Sequence, residues 1–170
     1  MNNVNAEQMS TFVAELERDP AVGKKHKVVV GEWSFPEKTT QFRATLEYPQ
    51  GSAALTSELP PFAGGWGTSP DPIQYCLYGL AACFAVTFAA TATSKGIALK
   101  RLRVTAENWM DLRKQMGVSK DPIIERVQFT VDAQADVPRE RLEELLRLTE
   151  ERCPGTECVT RSIPLKTQLV

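Results

Sequence analysis

The chain has 170 residues, of which 42% are hydrophobic and 24% are charged, and its formal net charge is −1. This length predicts a single main domain with a sizeable hydrophobic core. The composition lacks the excess of positive charge that a nucleic-acid or anionic-membrane surface needs, so we expect no partner of either kind.

The first 25 residues are predicted to form a helical extension that precedes the main domain at residues 26–170. Apolar side chains at helical spacing favour a helix over residues 6–18. Asp19 ends this helix because a residue that precedes proline avoids helical geometry. The opening sequence MNNVNAEQMS has neither the basic start nor the apolar run of a secretory signal, so we expect a cytoplasmic protein.

Two strands and a long loop are predicted next. The segments KVVVGEW at residues 27–33 and FRATLEY at residues 42–48 are typical of strands, and apolar side chains alternate along the second. Residues 49–70 contain prolines and glycines clustered at positions 60–67, which indicates a long loop. Long ordered loops in small domains are often functional.

A stretch of 23 uncharged residues separates Asp71 from Lys95. Asp71 is well placed as an N-cap, Pro72 as a first helical residue, and Lys95-Gly96 as a C-terminal signal, so we predict a helix over residues 72–94. The length alone would allow a membrane span. The composition, with six alanines between Ala81 and Ala92, instead favours the buried helix of a protein core.

A helix that is apolar on nearly every side must be covered by protein on every side. One sheet of this short chain covers one face. Either a second copy of the chain covers the other face, through close packing at small residues from Gly79 to Ala85, or the other two helices of the same chain wrap around it. The first arrangement predicts a homodimer.

The C-terminal half carries further strand and helix patterns. Alternating apolar residues predict strands over residues 101–109 and 127–133, and a polar connection joins them. Pro138 opens a helix that continues to about Arg152, and alternating residues predict a final strand over 163–169. The order of elements indicates an α+β fold with antiparallel sheets packed around the long central helix.

The four cysteines are expected to be reduced in the cytoplasm. Cys76 and Cys83 lie seven positions apart on one predicted helix, with Cα atoms about 10.5 Å apart, too far for a disulfide. Two sulfurs on one zinc ion would have to lie much closer together, and the single histidine, His26, adds no cluster, so we expect no metal site.

The remaining cysteine pairs join the long helix to the segment CPGTEC at residues 153–158. Cys153 falls at the end of the predicted helix 138–152, from where it can approach Cys83 or Cys76. The negative end of a helix dipole raises the pKa of a thiol, which argues against Cys153 as the attacking thiolate. From spacing alone, these residues are either a long-range redox pair or inert buried thiols.

Two motifs resemble those of the OsmC and organic-hydroperoxide-resistance family. In the segment PIQYCLYGLAACF at residues 72–84, Pro72 opens the helix and Cys83 follows eleven residues later, as in the first cysteine motif of that family. The segment CPGTECVTRSIPL at residues 153–165 is similar to the second motif. The resemblance covers about residues 60–170 and implies an OsmC-like α+β fold and an intertwined homodimer.

The resemblance also implies a thiol-dependent peroxidase that acts on organic hydroperoxides without a metal or a bound cofactor. By position, Cys83 is then the peroxidatic cysteine, which becomes a sulfenic acid, and Cys153 is the resolving cysteine. The resulting disulfide is reduced by a cellular dithiol. Cys76 and Cys158 have no counterpart in the motifs, although Cys158 could offer a rival resolving thiol on a short flexible segment.

The sequence departs from the family pattern at the position after the helix-opening proline. Well-known members have a glutamate there, which orients an arginine that lowers the pKa of the attacking thiol, whereas this chain has Ile73. Asp71 is a possible substitute but reads as an N-cap. Arg43 is the nearest candidate for the arginine but also reads as a solvent-facing residue, and Arg161 matches the second motif.

Three functions remain open from the sequence. The first is a dithiol peroxidase that uses Cys83 and Cys153. The second is a non-catalytic OsmC-like protein that binds a small hydrophobic ligand in the same pocket, and it is favoured by Ile73 and by the unplaced arginine. The third is a structural dimer with plain core cysteines. Loop aromatic residues that could line an apolar pocket, or pack an interface, are Phe62, Trp66 and Tyr75.

Overall fold

The computed structural model describes residues 1–169. Its helices are α1 (Ala6–Arg18), α2 (Pro72–Ser94), α3 (Arg139–Arg152) and α4 (Pro154–Thr160), and its strands are β1 (Gly31–Trp33), β2 (Phe42–Tyr48), β3 (Gly51–Ser57), β4 (Leu99–Met110) and β5 (Ile124–Ala135). The chain divides into two compact units, one of them Ser10–Cys76 and the other Met1–Met9 together with the chain from Leu77 onward. The α+β class and the antiparallel pairing are confirmed. The predicted domain boundary at residue 25 stays a prediction.

The Ser10–Cys76 unit contains a three-stranded antiparallel sheet in the order β1-β2-β3. Strand β2 has the predicted bounds, and a two-residue turn at Pro49-Gln50 returns the chain into β3, with Tyr48 opposite Gly51. Strand β3 was not predicted, and the loop expected over residues 49–70 is wrong for Gly51–Ser57, so the loop begins only after this strand. Its sequence GSAALTS has small residues with little strand propensity of their own, so its pairing with β2 forms the strand.

The strand predicted over residues 27–33 is mostly wrong, because only Gly31–Trp33 pairs with β2. Val28, Val29 and Val30 are outside the paired strand, and they are between 63% and 73% exposed. A β-branched run favours extended backbone, but a strand also needs a neighbouring strand to accept its hydrogen bonds.

In the unit that begins again at Leu77, β4 and β5 form a long antiparallel hairpin that packs its inward face on α2. The register places Val104 opposite Val131 and Ala106 opposite Phe129, as expected from the alternating pattern. The Phe129 ring lies 5.0 Å from the Phe84 ring, measured between centroids. Both strands are longer than predicted at each end, but the apolar side chains lie on the same face of the hairpin, as predicted.

Helix α2 has the predicted bounds, and one face of it carries the core. Phe84, Phe88 and Ala92 recur every four residues, are fully buried, and pack with Leu145 of α3. Val86, on another face, is 69% exposed. Among the described residues α2 alone is long and apolar enough to cross a membrane, but the core helix of a globular protein meets the same criterion.

The N-terminal residues of the chain are tied to the end of α2. The Asn2 amide nitrogen donates hydrogen bonds to Thr93 Oγ1 (3.0 Å) and to the Ile97 carbonyl (2.9 Å). The Asn2 amide oxygen accepts from the Leu99 N–H (2.8 Å). One side chain therefore satisfies backbone groups where α2 ends and β4 begins.

The C-terminal segment differs from the prediction in two ways. Residues 154–160 form α4, which was expected to be part of a flexible connection. The strand predicted over residues 163–169 is absent, because no described strand pairs with this segment, and Leu165 is 88% exposed. Alternation predicts which faces a strand would have, but not whether a partner edge exists.

Candidate functional site

The structure brings the two predicted site cysteines together, although they lie 70 positions apart in the sequence. Cys83 is half-buried in the middle of α2, and Cys153 is 2% exposed between α3 and α4. Both side chains border Gly155, since a Cβ atom placed there would lie 3.3 Å from Cys83 Cβ and 3.5 Å from the Cys153 sulfur, and Cys83 packs against the buried cluster that contains Cys153. A sulfenic acid formed on either sulfur would therefore have the other thiol as its neighbour.

Gly155 is the residue that lets α4 approach α2 at this point. A Cβ atom placed there would lie 3.3 Å from Cys83 Cβ, 3.3 Å from Leu80 Cδ2 and 3.5 Å from the Cys153 sulfur. These distances leave almost no space for a side chain. The local structure therefore explains two residues of the second motif. Pro154 begins α4, and Gly155 allows α4 to approach α2 closely.

The pKa values of the two thiols are shifted in opposite directions. Burial raises the pKa of Cys153, but hydrogen bonding to the Thr156 N–H, to Cys83 and to the Gly155 N–H outweighs it and lowers the pKa below the ordinary cysteine value. Burial raises the pKa of Cys83 above its ordinary value, and its position beside Cys153 adds to the rise. Of the two thiols, Cys153 is therefore the one that loses its proton first as the pH rises.

The expectation that Cys153 is a poor thiolate is wrong. It assumed that Cys153 meets only the C-terminal end of the preceding helix. In the structure Cys153 is also the N-cap of α4, so the free N–H groups of Gly155 and Thr156 at the start of that helix also act on it and lower its pKa. The Thr156 hydroxyl is buried and has no hydrogen-bond partner within residues 1–169.

Each residue proposed to activate the thiol has another local partner or environment. Asp71 Oδ1 accepts hydrogen bonds from the N–H groups of Ile73 (2.8 Å) and Gln74 (3.1 Å), which is the predicted N-cap. Arg161 is the C-cap of α4 and forms an ion pair with Glu157. Arg43 is exposed on β2. The described residues also contain no group of three or more potential metal ligands.

The two other cysteines are both exposed. Cys76 lies in the second turn of α2. Cys158 lies on α4, so the segment between Cys153 and Cys158 is a helix and not the flexible link expected from the sequence.

Sequence reasoning missed a buried carboxylate in the Ser10–Cys76 unit. Glu58 is 2% exposed and accepts hydrogen bonds from the N–H groups of Trp66 (3.3 Å), Thr68 and Ser69 (3.0 Å). Burial raises the pKa of Glu58, but these hydrogen bonds outweigh it and lower the pKa below the ordinary value. Glu58 thereby holds the loop that precedes α2, and no sequence pattern distinguishes it from an exposed glutamate.

The same unit contains an apolar cavity of about 430 Å³. Trp33, Phe42, Leu55 and Tyr75 contribute to its walls, and the Tyr75 hydroxyl donates to the Thr56 carbonyl at 2.9 Å. Of the three aromatic residues predicted to line a pocket, Tyr75 lines this cavity. The side chains of Phe62 and Trp66 are 77% and 48% exposed on the preceding loop.

Comparison with known proteins identifies relatives of this chain. The profile of the family described as OsmC-like protein matches residues 65–168, a range that includes both cysteine motifs. No curated protein gives a significant match to the sequence.

Several solved structures share the fold. An OsmC-like protein from Mycoplasma pneumoniae superposes with a TM-score of 0.59 at 17% identity, covering 80% of this chain and 88% of that one. The organic hydroperoxide resistance protein OsmC from Legionella pneumophila gives a TM-score of 0.56 at 19% identity, with 81% and 92% covered. An organic hydroperoxide resistance protein from Vibrio cholerae, with captopril bound in one active site, gives 0.56 at 20% identity, with 81% and 87% covered.

Proposed function

Because the chain belongs to the OsmC-like protein family, we propose that it is a thiol-dependent peroxidase that reduces organic hydroperoxides through Cys83 and Cys153. The names of two structural neighbours as organic hydroperoxide resistance proteins support this choice of substrate class. The observation that carries the proposal is that Cys83 and Cys153 both border Gly155 and pack in the same cluster.

In this mechanism, exposure and charge assign different tasks to the two sulfurs. Cys83 is the more exposed thiol, so the peroxide reaches it first. Cys153 has the lower pKa of the two thiols, and as a thiolate it accepts the proton of Cys83 as the peroxide approaches. The Cys83 sulfur then attacks the terminal peroxide oxygen, the O–O bond breaks, and Cys83 becomes a sulfenic acid.

The second half of the reaction returns the proton and forms the disulfide. Cys153 gives the proton that it received to the departing alkoxide, which leaves as an alcohol. The Cys153 thiolate then attacks the Cys83 sulfur and expels hydroxide, which takes a proton from solvent and leaves as water. The net reaction consumes two thiols and one hydroperoxide, and a cellular dithiol restores the thiols. The cytoplasm supplies such reductants.

Thiol counting tests this proposal. The reduced protein has four thiols, and excess cumene hydroperoxide should remove two of them. Cys83→Ser should abolish the loss, whereas the matched control Cys76→Ser, which removes an exposed thiol on the same helix, should still lose two. Unchanged thiol content in the wild type, or an undiminished loss in Cys83→Ser, would reject the peroxidase.

We also propose that the protein works as a homodimer. Within the unit that begins again at Leu77, Tyr78 and Val86 of α2 are 73% and 69% exposed, although the helix is apolar along its whole length. Apolar surface of this kind is usually covered by another protein surface. Sedimentation analysis of the reduced protein should give twice the mass of the chain, and Val86→Glu should shift it towards the monomer.

A second candidate function is a non-catalytic protein that binds a small hydrophobic ligand. The apolar cavity beside Tyr75 and the raised pKa of Cys83 favour it. Native mass spectrometry of the purified protein distinguishes the two functions, because a retained apolar ligand together with peroxide-inert thiols would support binding in place of catalysis.

A further inference from the structure

Cys158 is a third thiol next to the Cys83–Cys153 pair. It lies one helical turn after Gly155, the residue that packs against Cys83 and Leu80. Residues three positions apart lie on neighbouring parts of one helix face, so Cys158 borders the contact between α4 and α2. The family motifs assign no role to this cysteine.

Exposure separates Cys158 from its neighbours. Cys153 is 2% exposed and Cys83 is half-buried, whereas Cys158 is exposed. Thiol–disulfide exchange requires the attacking thiolate to reach a disulfide sulfur. A disulfide between Cys83 and Cys153 therefore offers a protein reductant only one partly covered sulfur.

We propose that Cys158 is the exit thiol of this site, which moves the disulfide from the buried Cys83–Cys153 position to an exposed Cys83–Cys158 position. The inference rests on the peroxidase function proposed above. It differs from the role of a rival resolving thiol, because Cys153 already packs beside Cys83 when the sulfenic acid forms.

The exchange step is balanced without a further oxidant or reductant. Cys158 loses its proton to solvent, and its sulfur attacks the Cys83 sulfur of the disulfide. The Cys83–Cys158 bond forms as the Cys83–Cys153 bond breaks, and the electron pair leaves with Cys153 as a thiolate. Hydrogen bonds from Gly155 and Thr156 stabilise that thiolate, which makes Cys153 the better leaving sulfur. An external protein dithiol then reduces the exposed disulfide.

Helix geometry directs the exchange to Cys83 and not to Cys153. Cys153 and Cys158 lie five positions apart across the start of α4, which places their Cα atoms about 8.5 Å apart. A disulfide needs less than about 7 Å, so these two cannot bridge while α4 is formed. Cys83 faces α4 from a different helix and can be reached by a small movement of this seven-residue helix.

The test separates this inference from the peroxidase function by forming the disulfide with diamide instead of a hydroperoxide. The oxidised protein is then mixed with excess reduced thioredoxin, a protein dithiol, or with a small phosphine. Cys158→Ser should slow reduction by thioredoxin at least about tenfold and reduction by the phosphine less than about twofold. The matched control Cys76→Ser should follow the wild type with both reductants.

A second measurement identifies the relayed bond. Oxidised Cys153→Ser should contain a Cys83–Cys158 disulfide, and digestion after Glu157 separates positions 153 and 158 for mass spectrometry. Absence of that bond would overturn the inference. So would reduction of Cys158→Ser by thioredoxin at the wild-type rate, or a wild-type disulfide that resists thioredoxin.

Discussion

Replacing Gly155 with alanine tests whether the close approach of α4 to α2 sets the spacing of the two thiols. The new Cβ atom would lie 3.3 Å from both Cys83 Cβ and Leu80 Cδ2. Non-bonded carbon atoms prefer separations of about 3.5–4.0 Å, so α4 has to move away by a few tenths of an ångström. The movement carries Cys153 with it, because Cys153 is the N-cap of α4.

The expected effect falls on the reaction and not on stability. Alanine gains about 1 kcal/mol of helix propensity over glycine, which offsets much of the contact strain in α4. We therefore expect the free energy of unfolding to change by less than about 1 kcal/mol. A misplacement of about 1 Å can cost a reaction about 100-fold, so a shift of a few tenths should slow disulfide formation about three- to tenfold.

Quenched-flow thiol counting after mixing with cumene hydroperoxide measures this rate, and chemical denaturation measures the stability. Gly79→Ala is the matched control, since a Cβ atom at this position of α2 meets nothing within 4 Å. It should keep the wild-type rate, and any effect on dimer formation would appear in the mass. A wild-type rate in Gly155→Ala, at unchanged stability, would refute the link between this contact and the thiol spacing.

Four further predictions concern residues around the site and the loop. Glu58→Gln should speed amide hydrogen exchange at residues 66–69, because the Glu58 carboxylate accepts hydrogen bonds from these N–H groups. Because the pKa of Glu58 is lowered, the wild type should lose this protection as the pH falls below about 4, whereas the protection in Glu58→Gln should not change over this pH range. Asp71→Ala should lower the free energy of unfolding by about 1 kcal/mol through loss of the α2 N-cap, as measured in urea. Asn2→Ala should lower it by about 2 kcal/mol, because three hydrogen bonds are lost. Cys153→Ser should move the onset of thiolate absorbance in a pH titration of the reduced protein to higher pH, because the lowered pKa belongs to Cys153.

Matched variants control these four experiments. Asp71→Asn keeps a capping oxygen and should be nearly as stable as the wild type. Asn3→Ala changes the asparagine next to Asn2 and should not lower the free energy of unfolding as Asn2→Ala does. Glu32→Gln changes an exposed glutamate of the Ser10–Cys76 unit and should not speed hydrogen exchange in the loop as Glu58→Gln does. In Cys76→Ser, the thiolate absorbance of the reduced protein should appear at the same pH as in the wild type. An equal effect of any control and its partner variant would contradict the corresponding structural reason.

The sequence predicted those elements whose pattern is carried within the segment itself. Helix α2 has a capping aspartate, a first-turn proline and a C-terminal glycine, and strand β2 has clear alternation, so both have the predicted bounds. Strand β3 and the absent strand at residues 163–169 show the opposite case. The first pairs despite its weak pattern, and the second has a strong pattern but no partner in the described chain. Pairing depends on contacts distant in sequence, which one segment cannot reveal.

The thiol pair shows the same limit at the level of chemistry. Motif spacing pointed to Cys83 and Cys153, and the structure brings these residues together. The distribution of charge between them was not predictable, because it depends on N–H groups that converge only when residues 154–160 fold as α4. If the segment CPGTEC is interpreted as a loop, it offers Cys153 no such donors. The C-terminal end of the preceding helix alone would then raise the pKa of Cys153, which is the opposite of the direction found.

This chain has Ile73 at the position of the usual family glutamate, and in the proposed reaction a Cys153 thiolate activates Cys83 instead. The N–H groups of Gly155 and Thr156 lower the pKa of Cys153, and its thiolate serves as the base for Cys83. Such an arrangement requires both sulfurs for the first chemical step and not only for resolution. Loss of Cys153 should then slow the oxidation of Cys83 itself, whereas in a site with a separate activating group it would affect only the later disulfide.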